Sequence, residues 1–201
     1  VRCVGVLAGL RYGGVVLYGG ALHARVEGYL GEWATACVVR EVSVPSTAPS
    51  GNVVRLRAVR VKAEDGRITE SLDIRRPIII EMDYEVLASG HVLLPHFHLL
   101  NEAGELIFIT IDLDPQWRRR PRPAGQYRSH VEIPGNMLSE GTTYVSCYCL
   151  TLEPEISQFD GPSVVAFQVI DSLDGNSARG DYIGTMRGFV RPLLNWQTQS
   201  I

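Results

Sequence analysis

The sequence predicts an antiparallel β-sandwich of immunoglobulin or jelly-roll type, and three observations predict it. Eight short strand-like runs follow one another from residue 53 onward, glycine-bearing turns separate them, and almost no helical periodicity intervenes. No internal repeat is visible, which argues against a solenoid or a propeller.

The runs cover 53–62, 71–74, 78–87, 92–100, 106–113, 127–133, 142–152 and 164–170. Between them, Glu64-Asp65-Gly66, Asn101-Glu102-Ala103-Gly104 and Ser139-Glu140-Gly141 each put glycine where a tight turn can use a positive φ, and Pro134-Gly135-Asn136 adds a further break. Alternate side chains of a strand point to opposite faces, so each run can be sorted. In 78–87, Ile78, Ile80, Met82, Tyr84 and Val86 alternate with Ile79, Glu81, Asp83 and Glu85, which assigns the first set to the core. The same count turns Leu93, Phe97 and Leu99 inward and His96 and His98 outward. It turns Ile107, Ile109 and Ile111 inward and Phe108, Thr110 and Asp112 outward. It turns Val145, Cys147 and Cys149 inward and leaves Tyr144, Ser146 and Tyr148 outside.

If these three strands are neighbours in one sheet, their outer face collects His96, His98, Phe108, Thr110, Tyr144 and Tyr148 with few long charged chains. Aromatic rings beside hydrogen-bonding groups suit a sugar, whose ring carbons present an apolar face while its hydroxyls demand donors and acceptors. These six residues are the candidate carbohydrate contacts. A loop, a terminal strand or a partner subunit covering the same face would account equally well for its composition.

Upstream of the sandwich, residues 1–31 read as two short apolar strands around Tyr12-Gly13-Gly14, followed by a helix over 21–30 whose Leu22, Val26 and Leu30 share a face. Thirty residues cannot bury a core of their own, so this piece is expected to be the tail of another domain. Residues 32–52 lose periodicity and contain Pro45-Ser46-Thr47-Ala48-Pro49-Ser50-Gly51-Asn52, the composition of a linker. The expected division is therefore 1–31, 32–52 and 53–201. The chain opens on Val1 rather than Met, so it is expected to begin partway through a longer reading frame.

Composition narrows the function classes. With 45% hydrophobic and 20% charged residues and a net charge of -3, the chain is an ordinary globular one, with no electrostatic ground to expect nucleic acid or an acidic membrane as partner. Its most apolar stretches, at 4–10 and 77–80, fall far short of the roughly 20 residues needed to span a bilayer. Cys3, Cys37, Cys147 and Cys149 lack CxxC spacing and read as reduced thiols.

Two motifs compete with the binding reading. Gly90 followed by His96-Phe97-His98 and Glu102 partly matches the metal motif of cupins, because two imidazoles at i and i+2 on one strand can share a metal. Ile109 stands where that motif needs a later Gly, no second His-bearing half follows, and Asn101–Gly104 reads as a hairpin turn, so no metal ligand is assigned. Trp117-Arg118-Arg119-Arg120-Pro121-Arg122-Pro123 is a basic run that could hold an anion; with Asp112 and Asp114 just before it, a solvated loop is expected instead. No GxxxxGK[ST] loop, GxSxG elbow or HExxH motif occurs, and no catalytic residue is assigned.

Four blocks carry a resemblance to a known family. They are Val53-Val54-Arg55-Leu56-Arg57-Ala58-Val59-Arg60-Val61, the hairpin from Phe97-His98 to Asn101-Glu102-Ala103-Gly104, Asp114-Pro115-Gln116-Trp117-Arg118 with Ile133-Pro134-Gly135-Asn136, and Val190-Arg191-Pro192-Leu193-Leu194-Asn195-Trp196. Together they resemble the C-terminal domain of the ATP-binding subunits of ABC transporters that export polysaccharides, of the O-antigen and teichoic-acid type. Gly13-Gly14-Val15-Val16-Leu17-Tyr18-Gly19-Gly20 and the helix ending Gly28-Tyr29-Leu30 resemble the last hairpin and helix of an ABC nucleotide-binding domain, although Val4-Gly5-Val6 and Tyr18 depart from its usual polarity.

The resemblance implies a hairpin–helix remnant of an α/β ATPase domain joined to a β-sandwich that recognises the exported glycan without catalysis. It implies ATP and Mg only in the upstream domain, and no cofactor in this stretch. It further implies a homodimer made by exchange of the segment 188–196, a membrane permease subunit as partner, and a place on the cytoplasmic side of the bacterial inner membrane. The alternative is a structural dimerisation or transporter-docking module that binds no glycan.

Overall fold

The computed structural model describes residues 2–3, 10–12, 15–17, 38–41 and 51–201. The described residues form an all-β protein of two five-stranded sheets, one of them curled into a half-barrel, with a separate two-stranded ribbon. The strands are β1 (Arg2–Cys3), β2 (Leu10–Tyr12), β3 (Val15–Leu17), β4 (Val39–Glu41), β5 (Val54–Ala63), β6 (Ser71–Asp73), β7 (Ile78–Val86), β8 (Leu93–Leu100), β9 (Leu106–Ile111), β10 (Gly125–Ile133), β11 (Gly141–Leu152) and β12 (Glu155–Ile170). The first sheet has the order β1-β4-β5-β7-β10 and the second β6-β12-β11-β8-β9.

The eight expected runs all appear as strands. Two features differ from the expectation. β12 begins at Glu155 rather than at Val164, because the polar, proline-containing stretch before Val164 pairs with β11 through two register shifts. Such bulges break the simple alternation that marks a strand in sequence. The sandwich is also not wholly antiparallel, since β6 runs parallel to β12. The ribbon β2–β3 places antiparallel strands on either side of residues 13 and 14, where a hairpin is expected. The expected helix over 21–30 lies outside the described residues, as does most of 32–52. Within that expected linker, however, Val39–Glu41 pairs with β5, and Val38 and Val39 are buried.

One core fills the space between the sheets. Val54, Leu56, Val59 and Val61 of β5 and Ile78, Ile80, Met82, Tyr84 and Val86 of β7 face Leu93, Phe97 and Leu99 of β8, Val145, Cys147 and Cys149 of β11, and Val165, Phe167 and Val169 of β12. Cys147 and Cys149 are not disulfide-bonded, and burial pushes the Cys149 thiol up to about 12, so it stays protonated and packs as an apolar group.

The outer face of the first sheet is an ionic ladder. Arg60 pairs with Asp83 at 2.6 Å, Lys62 with Glu81 at 2.7 Å, Arg57 and Arg55 with Glu85, and Arg128 of β10 with Asp83 at 2.6 Å. Burial works to raise the Asp83 carboxyl, but hydrogen bonds from Arg128 and Arg60 hold it below the usual carboxylate value. Its contribution to stability is therefore present above the unfolded carboxylate pKa and lost as pH falls through the lower folded value.

The segment after β12 is strapped to the sandwich by the Arg75–Asp174 pair at 2.9 Å and by Glu140. Glu140 bonds Arg179 through one oxygen and Arg191 through the other at 2.7 Å, and both guanidinium groups are nearly buried. Val190 bridges Leu138, and the Arg191 amide donates to the Met137 carbonyl. Replacing Glu140 by Ala takes the carboxylate partner from buried Arg191 and leaves buried Arg179 only the more distant Asp171 carboxylate at 3.6 Å. The expected cost is about 2–3 kcal/mol, below the usual loss on breaking a buried pair because the Glu140 side chain is one-third exposed. Hydrogen exchange is expected to accelerate over 177–191 and to stay slow in β5 and β7.

Candidate functional site

Residues directly opposite each other in an antiparallel pair share a face. β8 lies between β9 and β11, with His96 opposite Ile111 on one side and Tyr148 on the other, and His98 opposite Ile109 and Ser146. The outer face of the second sheet therefore carries the row Ile111–His96–Tyr148, the row Ile109–His98–Ser146, and Tyr144 opposite Leu100 and Ala166.

Three of the expected contacts form one aromatic cluster. Tyr148 stacks on His96 at 5.3 Å between centroids and 19° between planes, and lies 4.4 Å from the His98 ring; the two imidazoles are 5.3 Å apart. The His96 ring is oriented by its own strand, since Nδ1 donates to the Leu94 carbonyl at 3.0 Å. A carbonyl can only accept, so Nδ1 carries a proton. Burial and then the neighbouring His96 hold His98 below its ordinary value, so it stays neutral at neutral pH, able to donate from one ring nitrogen and accept at the other.

Tyr144 lies on this same face but is nearly buried. Burial, then the Glu102 charge, raises its phenol, which keeps the hydroxyl protonated. Ser146 points the same way yet is spent locally: its hydroxyl accepts the Ser163 amide at 2.8 Å where β12 bulges.

Phe108 and Thr110 are not brought into the cluster, which corrects the expectation for β9. A register shift falls between Leu99 and Leu100, so that Leu100 opposes Leu106 while Leu99 opposes Phe108. The extra residue is Ile107, and it reverses every face after it. Ile107 and Phe108 both pack against the core, Thr110 opposes the inward Phe97, and Ile109 and Ile111 turn outward at 47% and 42% exposure. The face gains two aliphatic side chains in exchange for an aromatic ring and a hydroxyl.

Asp112 is likewise not outward. It anchors a buried polar group in which Arg122 Nη2 donates to Asp112 Oδ2 at 2.9 Å, Ser129 Oγ donates to the same oxygen at 2.8 Å, and Arg122 Nη1 donates to the Tyr84 hydroxyl. Arg122 is only 1% exposed, and its guanidinium lies near the Tyr84, Trp117 and Tyr127 rings. The basic run is therefore a solvated loop at Arg118, Arg119 and Arg120 but not at Arg122. The flanking prolines, with an aspartate ten residues before, are the one sequence signal that sets Arg122 apart.

The face joins ring planes to hydrogen-bonding edges and two aliphatic flanks, an arrangement chemically suited to a ligand with an apolar face and hydroxyls. Around it the described residues define a two-sheet β-sandwich with one ionic and one aromatic–aliphatic outer face. The fold is similar to that of the C-terminal domain of wzt, a crystal structure matched with a TM-score of 0.59 at 13% identity over 76% of this chain and 86% of that chain. A second solved structure, the Northeast Structural Genomics Consortium target SoR45, overlaps with a TM-score of only 0.31 at 11% identity over 59% of this chain and 88% of that chain. No protein-family model and no curated protein sequence matches the chain. Among the described residues no ATPase fold is seen, and no helix is long and apolar enough to cross a membrane.

Proposed function

We propose that this protein is a non-catalytic glycan-recognition domain that selects a cell-surface polysaccharide for export by an ABC transporter. The observation that carries the reading is the contrast between the two outer faces. One sheet closes its charges on themselves in a ladder, while the other leaves His96, His98 and Tyr148 stacked beside exposed Ile109 and Ile111. The four sequence blocks that resemble polysaccharide-exporter subunits, and the fold shared with the C-terminal domain of wzt, support the same assignment.

In this reading residues 53–201 are the glycan-binding domain, 32–52 the connection and 1–31 the end of an ATPase domain whose ATP and Mg sites lie upstream. The partners are the glycan, a second copy of the chain and the membrane permease, at the cytoplasmic side of the bacterial inner membrane.

Titrating a panel of bacterial surface glycans against the wild-type chain, Tyr148→Ala and Tyr144→Ala tests the site. Tyr148→Ala is expected to weaken the bound glycan at least tenfold, since one stacking ring contributes about 1 kcal/mol beyond its buried area and the two imidazoles lose their packing partner. Tyr144→Ala is expected to have the smaller effect because its ring is nearly buried. Unchanged affinity in both variants would remove this face.

A second reading is favoured by one observation. Leu193, Leu194 and Trp196 are 62%, 63% and 88% exposed after the Glu140 strap. Large apolar side chains left in water suit contact with another protein surface, as in a dimerisation or transporter-docking module. Under that reading the chain dimerises, truncation after residue 191 dissociates it, and no glycan binds.

A further inference from the structure

Between the free edges of the two sheets lies a cleft of about 210 Å³ that borders the aromatic face, sharing His96 and Ile111 with it but not His98, Tyr144 or Tyr148. Among the described residues β9 pairs only with β8, and β10 only with β7, so each is a sheet edge with a row of backbone N–H and C=O groups unpaired by those residues on the side that borders the cleft. The floor is apolar, made by Met82, Phe97 and Val131. Above it stand Thr110, whose hydroxyl has no partner among the described residues, and the oxygens of Ser129 and Asp112, already fixed by Arg122 and Tyr84. Asp114 also lines it, using one carboxylate oxygen to accept the Gln116 amide at 2.8 Å while the other has no hydrogen-bond partner among the described residues.

We infer that this cleft is a second binding site, one that takes a single neutral polyhydroxylated ring. Its volume is somewhat above the roughly 150 Å³ of a cavity that takes one benzene ring, room for one six-membered ring with its hydroxyls and too little for an extended peptide strand. An apolar floor matches the carbon face of such a ring. The unpaired backbone rows, the Thr110 hydroxyl and the free Asp114 oxygen supply both the donors and the acceptors that hydroxyls need. The Asp114 carboxylate sets the sign, because it repels an anionic ligand while a neutral hydroxyl can donate to it; the Asp112 charge is already balanced by Arg122. Phe108 and Thr110, which the straight alternation places on the outer face, thus part company with it for different ends: Phe108 packs the core and Thr110 lines the cleft.

The inference rests on the glycan reading above only in taking the ring to be a sugar unit. Methyl glycosides of hexoses, 6-deoxyhexoses and N-acetylhexosamines are added to the full chain at millimolar concentration, and amide chemical shifts are followed by NMR. At least one glycoside is expected to move the amides of 110–114 and 129–131. Thr110→Val and Asp114→Asn are each expected to weaken that binding at least fivefold, and Tyr148→Ala to leave it within twofold. Thr110→Val is isosteric and Asp114→Asn keeps the acceptor for Gln116, so both variants are expected to fold, which their unchanged spectra elsewhere would verify. If no glycoside moves those amides, or if binding survives both variants unchanged, the cleft is not a sugar site. Loss of the outer-face reading has a different signature: oligosaccharide affinity indifferent to Tyr148→Ala, with the cleft responses intact.

Discussion

Asp112→Ala is expected to destabilise the sandwich by about 3–5 kcal/mol, the loss typical when one partner of a buried ion pair is removed. Arg122 is the largest of the fully buried side chains, and Asp112 is its carboxylate partner. With that carboxylate gone the guanidinium keeps a hydrogen bond to the Tyr84 hydroxyl and the nearby aromatic rings, which do not balance a full charge. Ser129 loses its acceptor at the same time. The Tyr84 phenol cannot substitute as an anion, because burial, despite the opposing Arg122 charge, pushes it up to about 12. Urea unfolding would read the loss as a lower midpoint with an unchanged slope. The double variant Asp112→Leu with Arg122→Met removes both charges and is expected to recover most of the stability, since a buried pair replaced by apolar groups of similar volume is often neutral or better. A double variant no more stable than Asp112→Ala would show that the charge is not what the site must neutralise.

Gly135→Ala is the second large effect, and its cause is steric. A Cβ at Gly135 would lie 2.1 Å from the Arg75 carbonyl oxygen and 2.5 Å from its carbon, both backbone atoms that no rotamer can move aside. The two turns are tied there, since the Asn136 amide donates to the Ile74 carbonyl at 2.6 Å and the Asn136 side chain accepts the Ala178 amide at 3.0 Å. A methyl group must push them apart, at an expected cost of about 3 kcal/mol, the upper part of the range for overpacking. Ile74, Ile133 and Leu138 are buried beside these turns, so the damage reaches the core. Gly66→Ala makes the control: its Cβ meets nothing within 4 Å, and its φ of 81° leaves only the smaller backbone strain.

The alternation in 78–87 was legible because β7 is a central strand with one face in the core and the other in water, so polarity follows the pleat without interruption. β8 was legible for the same reason, and it put His96 and His98 on the correct face. β9 was not, because one bulged residue reverses the faces and Ile107, Ile109 and Ile111 look alike to a pattern that sees only hydrophobicity. Thus four of the expected contacts, His96, His98, Tyr144 and Tyr148, share a face, while Phe108 and Thr110 do not. The start of β12 was hidden for a related reason: Gly161 and Pro162 interrupt the apolar alternation, yet Gly161 is needed inside the strand, where a Cβ would lie 2.9 Å from Cys147 Sγ. The Arg122 site was invisible because a buried charge is defined by partners that meet only in space: Asp112 follows β9, Ser129 lies on β10 and Tyr84 on β7.

The central claim is that the outer face of β8, β9 and β11 recognises the exported glycan. NMR of the chain titrated with an oligosaccharide of that glycan tests it most directly. The account predicts shifts centred on the side chains of His96, His98 and Tyr148 and on Ile109 and Ile111, weakened at least tenfold in Tyr148→Ala. Shifts confined to the ionic face of β5, β7 and β10, or no shifts with any surface glycan, would contradict it.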